Sequence, residues 1–231
     1  MWLLSAQLIN KELILPSPLL VISKIATMIT TSAFWSHTLV TFLRIVVGYL
    51  IGLIMAVILA ALTYNYEICD TILSPVIRIV RATPVASFII LILLWAGRDY
   101  LPSVIVALMV IPVVWENLVT SYQNTDENLI EMAESYHMPR LSQFWHIRVP
   151  ASLTAFTSAA LTAMGLAWKS GIAAEVLSQP KTAIGTQLYY SKVYLETSEL
   201  FAWTIVVVLL SLLIERIVIM LVGRRTGNDN K

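Results

Sequence analysis

The ionisable and nucleophilic residues of this chain offer little catalytic chemistry. Of the three histidines, His37 lies far in the sequence from His137 and His146 and is expected on the opposite side of a membrane, and Cys69 is the single cysteine. The chain contains no HExxH, GxSxG or GxxxxGKS/T pattern, so nothing predicts a zinc centre, a serine nucleophile or a nucleotide-binding loop. The sequence therefore predicts no catalytic residue, no metal site and no cofactor in the chain itself.

The longest polar stretch is the segment 127–150, ENLIEMAESYHMPRLSQFWHIRVP, which lies between apolar runs. Its first part predicts a short amphipathic helix, because apolar residues recur at helical spacing. These residues are Leu129, Met132, Ala133 and Tyr136. Pro139 ends this helix, and a second short piece follows. In that piece we expect one apolar side and one solvent side, formed respectively by Leu141, Phe144 and Trp145 and by Gln143, His146 and Arg148.

Two short helices of this kind fit a docking role. An amphipathic helix presents an apolar stripe to a groove, and Glu131 adds a negative charge that would meet a basic group there. The alternative is a helix pair that lies on lipid headgroups. Docking is favoured, because headgroup binding calls for Lys and Arg on the polar face and residues 127–136 contain neither.

The elements that hold this segment are predicted to span a membrane. Of the 231 residues, 58% are hydrophobic and 13% are charged, against about 25% charged in ordinary soluble proteins. Since a span needs about 20 mostly apolar residues, the sequence predicts five spans in a single domain, 1–231. They lie at about 35–64, 67–97, 101–122, 150–177 and 200–223. Pro84 marks a break in the second span, and Pro150 the start of the fourth.

The distribution of charge predicts the orientation of these spans. Placing the segment 124–149 and the C-terminal tail in the cytoplasm puts most Lys and Arg on that side. Residues 1–34 then lie outside, and residues 178–199 form an external loop with a short interfacial helix or, alternatively, a ligand-contacting loop. A net charge of +1 without a basic run excludes nucleic acid as a partner and leaves membrane lipid.

The charged residues within or beside the predicted spans include Arg81, Lys169 and Glu175. Charge inside a membrane costs about 2.5–3.5 kcal/mol on insertion scales, so it usually faces a cavity or a partner. Lys169 and Glu175 differ by about 120 degrees around one helix and cannot pair with each other. They either line a solute route or form buried ion pairs with another span, for which Arg81 and Glu116 are candidates.

The first span also carries small residues at intervals of four. They are Gly48, Gly52, Ala56 and Ala60. Such a stripe lets two helices approach closely in lipid. We expect packing against another span of the same chain, and a seam between two copies is the alternative.

The polar segment resembles the EAA loop of permease subunits in bacterial binding-protein-dependent ABC importers. That loop has the pattern Glu-Ala-Ala, three residues, Gly, nine residues, Ile-x-Leu-Pro. The matching positions here are Glu131, Met132, Ala133, His137, Ile147, Val149 and Pro150. The stretches ILPSP, TFLRIVVGYLIG, RATP, GLAW and AAEVL are similar to the subfamily that handles sulfonates, taurine, nitrate, bicarbonate and some vitamin precursors.

This resemblance implies an all-α membrane protein with the type I ABC importer permease fold and about five transmembrane helices. It implies a non-enzymatic subunit of the bacterial inner membrane, with a cytoplasmic C-terminus, that moves a small polar or anionic solute by alternating access. The implied partners are a second permease copy in a homodimer, two ABC ATPase subunits that bind ATP-Mg, and an extracytoplasmic substrate-binding protein. Arg81 matches an arginine common in the family, which favours a structural or gating role.

A rival hypothesis is a stand-alone ion-coupled secondary transporter that uses Lys169 and Glu175. It predicts internal repeats and activity without partners. Relatives of the resembled subfamily also usually have a further span before ILPSP. Two interpretations therefore stay open: a first span encoded upstream of this sequence, or a permease with five spans.

Three residues depart from the EAA pattern: Met132 replaces Ala, Val149 replaces Leu and His137 replaces Gly. The glycine after a short helix normally takes a positive φ, which costs a residue with a Cβ about 1 kcal/mol or more. Histidine is enriched at positive φ relative to most residues. We therefore expect the bend to be kept at His137, and the alternative is an elbow of different geometry.

Overall fold

A computed structural model describes residues 2, 3, 6 and 11–226 of the chain. Every regular element in those residues is a helix, so the predicted all-helical class is confirmed. The helices are α1 (Pro18–Ile29), α2 (Ser32–Asn65), α3 (Glu67–Ala82), α4 (Val85–Leu93), α5 (Leu101–Gln123), α6 (Glu127–Ser135), α7 (Arg140–Ala151), α8 (Leu153–Ser178), α9 (Ile184–Val193) and α10 (Thr197–Thr226).

Three of these helices are long and apolar enough to cross a membrane: α2, α5 and α10 over Thr197–Val218. Two bent pairs meet the same criterion together, α3 with α4 and α7 with α8. If each pair is one span, the described residues hold five, which agrees with the number expected from the sequence. Apolar length explains this, since only a helix satisfies every backbone polar group inside lipid.

Helix α5 forms the centre of the bundle and packs between α2 and α8. The small-residue stripe of α2 faces it. A Cβ atom added to Gly48 would lie 2.4 Å from the Ser103 carbonyl oxygen, and one added to Gly52 would lie 2.8 Å from Val110 Cβ. Ala56 and Ala60 are fully buried. The stripe therefore lies inside the subunit, where the absence of larger side chains lets the α2 and α5 backbones approach.

Proline explains the sharper of the two bends and not the other. Helices α3 and α4 meet at 103°, with the break at Pro84 as predicted, because the proline ring is incompatible with a continuing helix. Helices α7 and α8 meet at 57°. The structure keeps Pro150 inside α7 and begins α8 at Leu153, in contrast to the predicted start at Pro150. A π-helical turn over Phe144–Arg148 precedes Pro150 and accommodates its ring within the helix.

The two short helices α1 and α9 lie near the Ser32 end of α2. Helix α9 packs against α8 and α10, and α1 packs against α10. The ammonium of Lys24 in α1 lies 2.9 Å from the Glu199 carboxylate in α10. Tyr190 and Tyr194 of the α9 region are exposed. The predicted short helix in the loop 178–199 is thus α9, held against the bundle.

Candidate functional sites

The EAA-like segment folds as two short helices joined by a tight turn, which we call the elbow (residues 127–151). The Asp126 side chain accepts a hydrogen bond of 2.9 Å from the Asn128 amide and so caps α6. At the other end of α6, His137 has φ 55°. Its amide donates to the Glu134 carbonyl at 2.8 Å, and the Met138 amide donates to the Ala133 carbonyl at 3.0 Å. These two bonds form a Schellman turn with histidine at the position that usually holds glycine.

The outer face of α6 is both apolar and acidic. Ala133 is buried, whereas Met132 is 52% and Tyr136 80% exposed. Glu127, Glu131 and Glu134 are exposed along the polar face. In the part of the chain that the structure describes, no cation lies within ion-pairing distance of Glu131. Exposed methionine and tyrosine beside an unpaired carboxylate are typical of a surface that binds a partner.

The second helix of the elbow faces differently from the sequence prediction. Leu141 and Trp145, which were expected to pack, are exposed. Gln143, which was expected in solvent, is buried, and its amide nitrogen donates to the Met138 carbonyl at 2.9 Å. Gln143 is turned inward by its hydrogen bond to Met138. The π turn over Phe144–Arg148 shifts the residues within and after it, such as Trp145 and Arg148, away from the 3.6-residue register. The elbow therefore presents more apolar surface than the sequence indicated.

An aromatic cluster anchors the elbow to the bundle. Phe144 packs against Tyr64 at the end of α2 and Tyr122 at the end of α5, with ring centroids 5.8 and 5.1 Å apart. The guanidinium of Arg148 lies 4.8 Å from the Tyr64 ring centroid and also donates to the Tyr122 carbonyl. Arg148 was expected in solvent, but a desolvated cation over an aromatic ring is favourable. The elbow is thus in direct contact with the ends of α2 and α5.

The remaining motif residues form the base of this elbow. Ile147 and Val149 are half-buried and Pro150 is exposed. They lie in the last turns of α7, immediately before the bend into α8. The motif therefore covers the whole path from the exposed helix α6 to a spanning helix.

Glu175 lies in a different environment, buried in the bundle with no exposed surface. Its carboxylate accepts hydrogen bonds from the Thr41 hydroxyl at 2.9 and 3.0 Å and from the Gly185 amide at 3.1 Å. Arg44 lies 3.4 Å away and forms an ion pair with it. A buried charge with several donors and a counterion is stable where an unpaired one is not. Glu175 is therefore a buried, fully partnered group and does not line a route in this structure.

Arg44 extends this cluster to the surface. Besides Glu175, its guanidinium pairs with Asp99 at 3.2 Å and donates to the Thr182 carbonyl. The Ser103 hydroxyl donates to the Arg44 carbonyl at 2.9 Å. We call Thr41, Arg44, Asp99, Glu175 and Gly185 the buried polar network. It ties together α2, the loop before α5, the end of α8 and the start of α9.

Arg81 and Lys169 lie apart from that network. Arg81 of α3 forms an ion pair with Glu116 of α5, and both side chains are largely exposed. Neither Arg81 nor Glu116 pairs with Lys169 or Glu175, so these two candidate partners were wrong. Glu175 does form a buried ion pair with another predicted span, through Arg44. Lys169 is exposed on α8 and lines a groove between α8 and α10. The three charges singled out from the sequence thus occupy three separate places.

Sequence reasoning missed the partners of Glu175 and the opposing wall of the Lys169 groove. Arg44 had a usable signal, because it is the one charged residue within the first predicted span. Glu215 had the same signal, since it is a charge within the fifth predicted span. Thr41 and Gly185 had none, because an uncharged residue gives no information about which distant helix it meets. Among the described residues, no group of three metal-ligating side chains comes together.

Comparison with a family model places these features in a known group. The model described as binding-protein-dependent transport system inner membrane component matches residues 48–227, which include the elbow. A solved structure titled as an amino acid ABC transporter with histidines superimposes with a TM-score of 0.70 at 15% identity. It covers 90% of this chain and 96% of that one. This likeness confirms the fold predicted from the sequence.

Curated relatives agree with the family model. The putative aliphatic sulfonates transport permease protein SsuC of Escherichia coli (strain K12) is 28% identical over 80% of this chain and 70% of its own length. A probable ABC transporter permease protein of Haemophilus influenzae is 26% identical, over 86% and 80%. The taurine transport system permease protein TauC of Escherichia coli (strain K12) is 20% identical, over 93% and 80%.

Proposed function

This chain belongs to the family of binding-protein-dependent transport system inner membrane components, and from that premise we propose that its elbow is the docking surface for a separate ATPase subunit. The chain itself is a transport permease subunit and not an enzyme. One observation carries the proposal: α6 exposes Met132, Tyr136 and an unpaired Glu131 while its base is anchored in the bundle. A partner groove with apolar walls and a basic group would complement this face.

The anchoring supports a mechanical role for the elbow. Phe144 and Arg148 contact the ends of α2 and α5, and α7 continues through one bend into α8. Closure of two ATPase subunits on ATP-Mg would then move these helices together as rigid levers. We propose that this movement alternates access to the two sides of the membrane.

The proposed assembly has two permease copies, two ATPase subunits inside and a substrate-binding protein outside. It places the elbow and the C-terminus in the cytoplasm of a bacterial cell and α9 on the external face. A position of α9 at a membrane surface is supported by the Tyr190 and Tyr194 side chains, which are exposed, and the external side follows from the proposed orientation of the spans. The end of the C-terminal tail, residues 227–231, lies outside the described residues.

Arg81 is proposed as a gating residue. Its ion pair with Glu116 joins the broken second span to α5, and both side chains are exposed rather than packed in the subunit. An exposed pair between a hinged element and a rigid helix can open at a modest free-energy cost. Its place on α3, next to the break at Pro84, suits a contact that separates during transport.

The proposed solute is small and polar or anionic, of the sulfonate class. Two relatives are named for aliphatic sulfonates and for taurine, and Lys169 supplies an exposed cation on α8. The rival hypothesis of an ion-coupled carrier needs Glu175 free to bind an ion. Its three hydrogen-bonding and ionic partners, Thr41, Gly185 and Arg44, leave it engaged, so no observation favours that rival.

The docking proposal is tested by reversing the charge of Glu131. The permease is co-expressed with its ATPase subunit and purified by a tag on the permease. Glu131→Arg is expected to lose most co-purified ATPase and the transport-coupled ATP hydrolysis, because a basic groove would repel arginine.

Glu12→Arg is the matched control, since Glu12 is exposed in the stretch beside the start of α10, at the other end of the bundle. It should keep the complex. An intact complex with full coupled ATPase activity in Glu131→Arg would show that the elbow does not dock as proposed.

A further inference from the structure

A groove of about 360 Å³ lies between α8 and α10 on the side of the subunit. We call it the α8–α10 groove. It contains a cation, a carboxylate and two hydroxyls beside apolar side chains. The residues that matter here are Thr162, Gly165, Trp168, Lys169, Ser211 and Glu215.

Lys169 and Glu215 share this groove without neutralising each other. Both are exposed, and across residues 11–218 neither forms an ion pair within 4.0 Å. Each lies within a predicted span, where a charge facing lipid would cost about 2.5–3.5 kcal/mol. Two such costs in one groove indicate that the charges face water or a polar ligand rather than acyl chains.

The geometry separates the two charges along the groove. The Trp168 indole donates to the Val207 carbonyl at 3.2 Å, so these two residues lie at the same height along the α8–α10 pair. Glu215 follows Val207 by eight residues, a rise of about 12 Å along α10. Lysine and glutamate side chains lean toward the N-termini of their own helices. Because α8 and α10 run in opposite directions, Lys169 and Glu215 lean toward each other across the remaining gap.

The space between the charges suits a small ligand. A Cβ added to Gly165 would meet nothing within 4 Å, so the wall is open at that point. Trp168 and Ile214 provide an apolar floor, and Thr162 and Ser211 provide hydroxyls that donate or accept. A pocket with an apolar floor and a few placed polar groups is the usual form of a small-molecule site.

We propose that the α8–α10 groove binds a small zwitterion, with its oxyanion at Lys169 and its ammonium at Glu215. A simple anion would be repelled by Glu215 and a simple cation by Lys169, whereas a zwitterion satisfies both. The inference rests on the proposed function and sharpens it, since it selects aminoalkyl sulfonates over plain alkyl sulfonates. The headgroup of phosphatidylethanolamine has the same chemistry, an ammonium two carbons from an ester oxyanion, and is the second source of such a ligand.

The test measures binding of radiolabelled taurine to the full-length permease in nanodiscs of phosphatidylglycerol alone. Saturable binding is expected, with ethanesulfonate and ethylamine competing at least about tenfold less well than unlabelled taurine. Lys169→Gln should weaken the affinity for taurine about tenfold or more. Glu215→Gln should remove the preference for taurine over ethanesulfonate while leaving ethanesulfonate binding intact.

Arg216→Gln is the matched control, because Arg216 is exposed on the same helix and does not line the groove. It should bind taurine like the unmodified protein. Phosphatidylethanolamine is then added to the nanodiscs. If it reduces taurine binding only in proteins that keep Glu215, the result would support the same site with the lipid as a competing occupant.

Two results would overturn the proposal: no saturable taurine binding in either lipid, or equal competition by taurine and ethanesulfonate. Glu131→Arg separates this failure from that of the proposed function. If the groove binds a zwitterion but the elbow does not dock the ATPase, the Glu131→Arg variant keeps both the co-purified ATPase subunit and taurine binding. If the elbow docks the ATPase but the groove binds no zwitterion, the Glu131→Arg variant loses the co-purified ATPase subunit, and the unmodified protein binds no taurine.

Discussion

Glu131 and Glu175 are the same residue type in one chain, and their surroundings are opposite. Glu175 is buried in the polar network, with Thr41, Arg44 and the Gly185 amide as partners. Glu131 stands exposed on the elbow beside exposed Met132 and Tyr136. A satisfied buried charge stabilises one arrangement of helices, whereas an exposed one is available to a second protein. The difference separates the residues that hold the fold from those proposed to transmit a signal to it.

The largest expected effect comes from breaking the buried polar network. Glu175→Ala removes the acceptor for two donors and leaves Arg44 without its buried counterion, so we expect a loss of about 3–5 kcal/mol in unfolding free energy. Thermal unfolding of the purified protein in detergent measures it. Glu131→Ala is the comparison and should change unfolding by no more than about 0.5 kcal/mol. Equal losses of unfolding free energy in the two variants would show that Glu175 contributes no more to stability than the exposed Glu131.

A smaller effect is expected from crowding the same network. A Cβ on Gly185 would lie 2.4 Å from Glu175 Cβ, so Gly185→Ala should cost about 1–3 kcal/mol through overpacking. Gly165→Ala is the control, because that Cβ meets nothing within 4 Å and alanine is the better helix former. Unfolding temperatures should therefore fall for the first variant and hold or rise for the second. The opposite order would mean that the start of α9 at Gly185 is not held against Glu175.

The elbow is expected to lose binding rather than stability when its apolar face is changed. Met132→Ser with Tyr136→Ser removes two exposed side chains, so unfolding should shift by at most about 0.5 kcal/mol per site. Co-purification of the ATPase should fall, because these side chains supply apolar area to its groove. Leu13→Ser with Leu19→Ser, two exposed changes near α1, should leave the complex unaltered. A similar loss of co-purified ATPase in both double variants would show that the elbow is not the specific docking surface.

The smallest effect concerns His137, whose φ of 55° is unfavourable for a residue with a Cβ. His137→Gly should stabilise the turn by about 0.5–1 kcal/mol, seen as slower hydrogen exchange in α6. His146→Gly, within the helical stretch of α7, should have the opposite sign and cost about 1 kcal/mol. Faster exchange in His137→Gly would show that the imidazole contributes more to the turn than its backbone costs.

Much of this fold followed from local pattern. Apolar run length predicted where the candidate spans lie, which number three, or five if each bent pair is one span. Pro84 predicted the break between α3 and α4, because both features depend only on neighbouring residues. The motif spacing predicted a helix followed by a turn at His137, and the structure has that turn at positive φ. The register of α7 was not predictable, since the π turn over Phe144–Arg148 depends on how Phe144 and Arg148 meet α2 and α5.

The sequence by itself determined the helical class, the apolar stripe of α6 and its exposed glutamate, because these follow from composition and from periodicity within one segment. Only the tertiary structure decided which charges meet. Thr41 and Glu175 are 134 residues apart, and Arg81 and Glu116 are 35 apart. Pairing of this kind depends on how spans cross and at what level, which no single span encodes. The same reason explains why Lys169 and Glu215 share a groove that neither segment alone could reveal.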